Sequence, residues 1–160
     1  MKKFLKARLL TLCSLLLLSG ASVANYDGDR LLGYWFTEGN SATVEVYLKD
    51  DQYFGRIVAL KESLFPAGHE SGLEGQPKVD RNNPDPDKQS QTIVGLNMLR
   101  GFAYMGNNKW KKGKIYDPEN GKDYDCNIKL KDDGSLSVRG YIGLSLFGRT
   151  TIWRRTIKPS

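Results

Sequence analysis

Apolar and polar side chains alternate along most of the chain beyond its first thirty residues. Val44, Val46 and Leu48 interleave with Glu45, Tyr47 and Lys49, and Asp50-Asp51 then breaks the run. Tyr53 to Leu60 is a second β-rich stretch, with Phe54, Val58 and Leu60 on one side. Tyr124, Cys126, Ile128 and Leu130 alternate with Asp125, Asn127, Lys129 and Lys131, and Asp132-Asp133-Gly134 leads back into Leu136, Val138 and Gly140. A period of two marks strands with one wet face. Asn107-Asn108 and Pro118-Glu119-Asn120-Gly121 add hairpin signals, because Asn and Gly tolerate positive φ. The pattern predicts strands over 33–38, 42–49, 53–61, 101–106, 109–116, 122–131, 135–142 and 147–156. Residues 92–100 fit either a strand or a short helix. An up-and-down barrel or a sandwich satisfies this spacing. Closing the sheet also removes exposed edges, so the expected fold is an all-β, antiparallel, up-and-down barrel of about eight strands.

The first segment departs from this pattern. Lys2, Lys3, Lys6 and Arg8 precede an apolar run from Leu9 to Leu18, and Ser22-Val23-Ala24 follows with small residues at the right offsets for cleavage. A basic end, a short apolar core and a small-residue site form a secretory signal peptide. The core is about ten residues, against roughly 20 for a membrane span, so no stable anchor is expected once it is removed. The chain then divides into a cleaved leader, 1–24, and one domain, 25–160, located in the periplasm or secreted. The leader changes the meaning of the charge. The whole chain of 160 residues carries 24 basic and 18 acidic residues, a formal +6. Four of the basic residues belong to the leader, which leaves 24 − 4 = 20 against 18, or +2. A near-neutral domain gives little support to nucleic-acid binding. Cys13 leaves with the leader, so Cys126 has no internal disulfide partner and reads as a buried apolar cysteine.

The meander is interrupted by residues 62–91, a stretch rich in Gly, Pro, Asp, Asn, Glu and Ser that is too long for an ordinary connection. Within it, Asp80-Arg81-Asn82-Asn83-Pro84-Asp85-Pro86-Asp87 offers many oxygens to a hard cation. The spacing lacks the glycine and the terminal glutamate of a calcium loop, and Asp or Asn before Pro makes turns unaided. Asp80, Asn83 and Asp85 therefore read as a loop motif that shapes a lid over the barrel mouth, and neither a metal nor a cofactor is expected. Tyr116 beside Asp117 and Glu119 invites a catalytic reading, but hairpin chemistry accounts for that segment with less. His69, the single histidine, has no triad or zinc pattern around it. No catalytic residue is assigned and no enzymatic role is expected. Arg139 beside Tyr141 is a candidate for holding an anionic head group. Trp35 and Tyr116 complete the candidate ligand-contacting set.

Gly33-Tyr34-Trp35 opens the first strand, and Trp153-Arg154-Arg155 lies in the last. A Gly-x-Trp start and a late arginine resemble the closing device of lipocalin-type barrels, in which the indole plugs one end and the guanidinium packs over it. Residues 31–156 more specifically resemble an exported bacterial family known as domain-of-unknown-function family 2147. The resemblance rests on Gly33-Tyr34-Trp35, Gly55-Arg56-Ile57-Val58, Asp80 to Pro86, Trp110 to Tyr124, Val138 to Gly143, Gly148-Arg149 and Trp153. Asp123 departs from the family's frequent Thr. The resemblance implies a lipocalin-like barrel outside the cytoplasm and no established reaction. The expected role is binding a small apolar or amphipathic molecule inside the barrel. The alternatives are a module for an envelope protein or a glycan and, ranked last, a hydrolase using carboxylates of Asp80 to Asp87.

Overall fold

The computed structural model describes residues 27–69 and 72–160; the leader expected at 1–24 lies outside the described residues. Eight antiparallel strands close a barrel in sequence order. They are β1 (Gly33–Phe36), β2 (Ala42–Lys49), β3 (Gln52–Leu60), β4 (Asn97–Tyr104), β5 (Lys109–Asp117), β6 (Lys122–Leu130), β7 (Leu136–Tyr141) and β8 (Gly148–Thr156). β1 pairs with β8, Trp35 opposite Arg155, and this pairing seals the sheet. Tight turns sit where the sequence placed them. Asp50-Asp51 and Asn107-Asn108 both hold positive φ at each residue, the conformation whose twist suits a two-residue hairpin.

Two expectations need correction. β4 begins at Asn97, so the second half of the ambiguous 92–100 segment is strand. Gly101, with φ of 70°, lies inside β4 and is not the first residue of a strand. In β3 the inward face is Tyr53, Gly55 and Ile57, all buried. Phe54 faces out and stacks on Tyr47 at 6.0 Å, with the Arg56 guanidinium over the Tyr47 ring. Part of the apolar side formed by Phe54, Val58 and Leu60 is thus an outer aromatic cluster. Asp123 forms an ion pair with Arg100 across from β4.

The two ends of the barrel are built differently. At one end the side chains are large. Trp35, Tyr53, Phe102, Trp110 and Leu136 fill the interior, and Gly113 is there because a Cβ would sit 2.4 Å from the Phe102 ring. A short 3-10 turn, Gly28–Leu31, plugs that end. Its carbonyls receive the indole N–H groups, Trp35 Nε1 on Leu31 at 2.9 Å and Trp110 Nε1 on Gly28 at 3.2 Å. Tyr53 donates its hydroxyl to Asp29. The opposite end is left to loops: residues 37–41, the long connection 61–96, the β5–β6 hairpin and the β7–β8 loop.

Candidate functional site

Interior residues near the open end are smaller or fewer, and a cavity of about 1200 Å³ results. Its inner wall takes Ala42 from β2, Ile57 from β3, Met98 from β4, Val138 and Gly140 from β7, and Trp153 from β8. These are apolar and mostly buried. The mouth is mixed, with Lys61, Lys78, Asp117 and Tyr124 among the groups that border it. An apolar interior with a few polar groups at the entrance is the usual construction of a small-molecule site. Such pockets run about 300–1,000 Å³, so this one is roomy.

The long connection forms one side of the mouth, and a buried carboxyl group fastens it. Asp80 is 0% exposed. Tyr116 donates its hydroxyl to Asp80 Oδ1 at 2.9 Å, and Asn83 Nδ2 donates to Oδ2 at 2.7 Å. Burial and the adjoining Asp80 charge push the Tyr116 hydroxyl up to about 12, since ionising it would place a second negative charge in a dry site. Asn82 adds a second fastening: its Nδ2 donates to the carbonyls of Pro118 and Glu119. Gly121 makes this approach feasible, because a Cβ there would lie 1.8 Å from the Asn82 carbonyl oxygen. Asp85 has a different task. It caps the 3-10 turn Pro86–Lys88, accepting from Asp87 N, and pairs with Lys88 Nζ at 2.6 Å, which holds its carboxyl below the usual range. Among the described residues no three His, Cys, Asp or Glu side chains converge as a metal site.

The other sequence candidates are dispersed. Trp35 is fully buried at the closed end and does not border the cavity. Arg155 lies over its ring at 4.2 Å and donates to the Leu32 and Arg30 carbonyls. Gly33, at φ of 108°, leaves room for that guanidinium. Arg154 points outward and is exposed, and Trp153 forms cavity wall. Arg139 is committed elsewhere: it donates to Ser145 O, Leu146 O and Thr150 Oγ1, pinning the β7–β8 loop, and it is not a cavity-lining residue. Tyr141 borders the rim, yet its hydroxyl lies 3.5 Å from Asn127 Nδ2 on the outer face. Of the four ligand-contact candidates, Tyr116 and Tyr141 reach the mouth and Trp35 and Arg139 do not. Alternation along β7 explains why Arg139 fails: Val138 and Gly140 take the inward positions, and Tyr141, on Arg139's face, borders the rim because it is the last residue of the strand. The deep wall residues Ile57, Met98 and Val138 went unassigned, since an inward aliphatic lining a void has the same sequence signature as one filling a core.

Cys126 is buried in the interior beside Ile128, and burial pushes its thiol up to about 12. A thiol held protonated and out of contact with water is inert. Peptide-level mapping after thiol alkylation at neutral pH is expected to find Cys126 unmodified in the native protein and fully modified in denaturant.

A family model described as "Uncharacterized protein conserved in bacteria (DUF2147)" matches residues 33–155, from the first residue of β1 to Arg155 in β8. No curated protein matches the chain. Among solved structures, protein HP1028 from the human pathogen Helicobacter pylori, described as belonging to the lipocalin family, is similar at a TM-score of 0.65. The similarity covers 79% of this chain and 82% of that one at 21% identity, and it is a likeness of fold.

Proposed function

This chain belongs to the uncharacterized bacterial family DUF2147, and on that footing we propose that it is an exported binding protein for a small apolar or amphipathic molecule. The observation that carries this reading is the cavity of about 1200 Å³ at the open end, with apolar walls inside and polar groups at its mouth. An apolar tail is favoured within because its burial releases water from both surfaces, at about 25 cal/mol per Å². A polar head stays at the mouth, where Lys61, Lys78 and Tyr124 keep contact with solvent. The basic, apolar and small-residue leader at 1–24 supports export to the periplasm or beyond. The Asp80–Tyr116 fastening supports a lid role for the long connection, and the Trp35–Arg155 stack supports closure of the other end.

Filling the cavity tests the reading. Gly140 borders it, has no positive-φ requirement, and a Cβ there would meet Ile115 and Tyr124 at 3.4 and 3.6 Å, ordinary contact distances. Gly140→Leu is therefore expected to fold and to project into the void. Titration with the fluorescent fatty acid cis-parinaric acid should show saturable binding to the native protein and at least a tenfold weaker affinity in Gly140→Leu. Native mass spectrometry should show a single adduct. Absence of saturable binding in the native protein, or unchanged affinity in a folded Gly140→Leu, removes the proposal.

A further inference from the structure

The β7–β8 loop presents an apolar tip that the barrel interior does not use. Ile142, Leu144, Leu146 and Phe147 are 67%, 70%, 77% and 75% exposed. Four large apolar side chains within six residues are an unusual concentration on a surface. The loop is nevertheless built. Arg139 satisfies the Ser145 and Leu146 carbonyls and fixes Thr150, and Phe147 N donates to Leu144 O. A loop whose carbonyls are already paired loses less on entering an apolar phase than one whose carbonyls depend on water.

Charge adds a second, independent observation. From Gly134 to Ser160 the chain carries no acidic residue, and two of its basic residues, Arg139 and Arg149, flank the tip, while Arg154, Arg155 and Lys158 follow β8 toward the closed end. Arg149 closes the apolar tip, and its side chain is 83% exposed although it pairs with Glu38 at 3.4 Å. Apolar side chains flanked by cations match an anionic bilayer surface, in which acyl chains lie beneath phosphate groups. The tip also continues into the cavity: Ile142, Leu146 and Phe147 border the mouth, whereas Leu144 does not.

We propose that the Ile142–Phe147 tip inserts into the surface of an anionic phospholipid membrane and sets the mouth of the barrel against it. Contact with the bilayer needs only the tip and Arg149. The corollary, that an amphipathic molecule passes between bilayer and cavity along Leu146 and Phe147, rests on the binding reading above.

The native tryptophans make the test direct. Trp35, Trp110 and Trp153 are 0–2% exposed, so the change in emission on adding vesicles to Phe147→Trp, less the change in the unsubstituted protein, reports the tip. With vesicles of phosphatidylcholine and phosphatidylglycerol at three to one, that variant should show a blue-shifted emission, and brominated acyl chains should quench it. Co-flotation of the unsubstituted protein with the same vesicles should be strong, and with pure phosphatidylcholine weak. Leu144→Asp should lower vesicle binding at least tenfold. Arg149→Gln should lower it about fivefold, the factor one cation near an anionic surface contributes. Both sites are exposed, and circular dichroism should be unchanged. No flotation with anionic vesicles overturns the proposal, as does flotation that Leu144→Asp leaves intact. Self-association abolished by Leu144→Asp without vesicle binding overturns it in favour of a second copy. Cis-parinaric acid binding is measured on the same Leu144→Asp protein. Its absence throughout, with vesicle binding intact, removes the cavity reading and leaves the membrane contact standing.

Discussion

Trp35→Ala is expected to lower stability by about 3–5 kcal/mol, the usual cost of deleting a buried aromatic. The indole is fully buried at the closed end of the barrel. Removing it leaves a void between β1 and the 3-10 turn, and the closely packed interior closes such voids only in part. Two further interactions vanish with it. The Leu31 carbonyl loses the indole N–H, and Arg155 loses the ring beneath its guanidinium. The second is worth about 0.5–2 kcal/mol, so Arg155→Met should cost less than the tryptophan change. Urea denaturation followed by circular dichroism checks both. The midpoint should fall while the slope stays constant, because the same surface is exposed on unfolding. A loss below about 1 kcal/mol for Trp35→Ala would mean that the 3-10 turn does not depend on the indole.

The strands were legible because each carries its own evidence: a period of two, closed off by Asp-Asp, Asn-Asn or Asn-Gly. Their closure was legible only through the Gly-x-Trp start and the late Trp-Arg-Arg, because register is a relation between distant strands. The choice between Arg154 and Arg155 needed the register, which sets Arg155 across from Trp35. The start of β4 was hidden for a different reason. Its interior holds Gly101 in a left-handed conformation, and a glycine in a strand pattern looks like a boundary. The cavity was the least legible feature. Whether a barrel is hollow depends on how volume is distributed along its axis. Here Trp35, Trp110, Phe102 and Tyr53 gather at one end, while Ala42, Val138 and Gly140 face the other. That sorting emerges only when eight inward faces are aligned, and a single strand reads the same in a filled barrel. The pairing of Asp80 with Tyr116 was likewise invisible, because 36 residues separate them. Each residue had been singled out, Asp80 as loop shaper and Tyr116 as ligand contact, and the fold joins them in one fastening.

That fastening yields the other large expected effect. Asp80→Ala removes the acceptor for both the Tyr116 hydroxyl and the Asn83 amide. A buried donor left without a partner costs about 1–3 kcal/mol, and the missing carboxyl leaves a void as well. The effect should be concentrated in the long connection, since the strands pair without it. Limited proteolysis is expected to cut Asp80→Ala within 62–91 much faster than the parent, while the barrel fragments stay associated. Tyr116→Phe should behave similarly but more mildly, because Asn83 still holds the other oxygen. Alkali should have a related effect through both ends of the barrel. Tyr116 at the lid and Tyr53 at the plug, which donates to Asp29, are each pushed up to about 12 from the ordinary 10. The unfolded chain loses these protons near pH 10 and the folded one near pH 12. Between those values the unfolded state binds fewer protons, so stability falls as pH rises. The contribution is complete below pH 10 and is lost progressively up to about pH 12. Spectroscopic titration at 295 nm should show a late-ionising component that includes Tyr53 and Tyr116, and Tyr116→Phe should reduce its amplitude by one tyrosine. A Tyr116→Phe protein whose late component is undiminished would place the alkaline sensitivity elsewhere in the barrel.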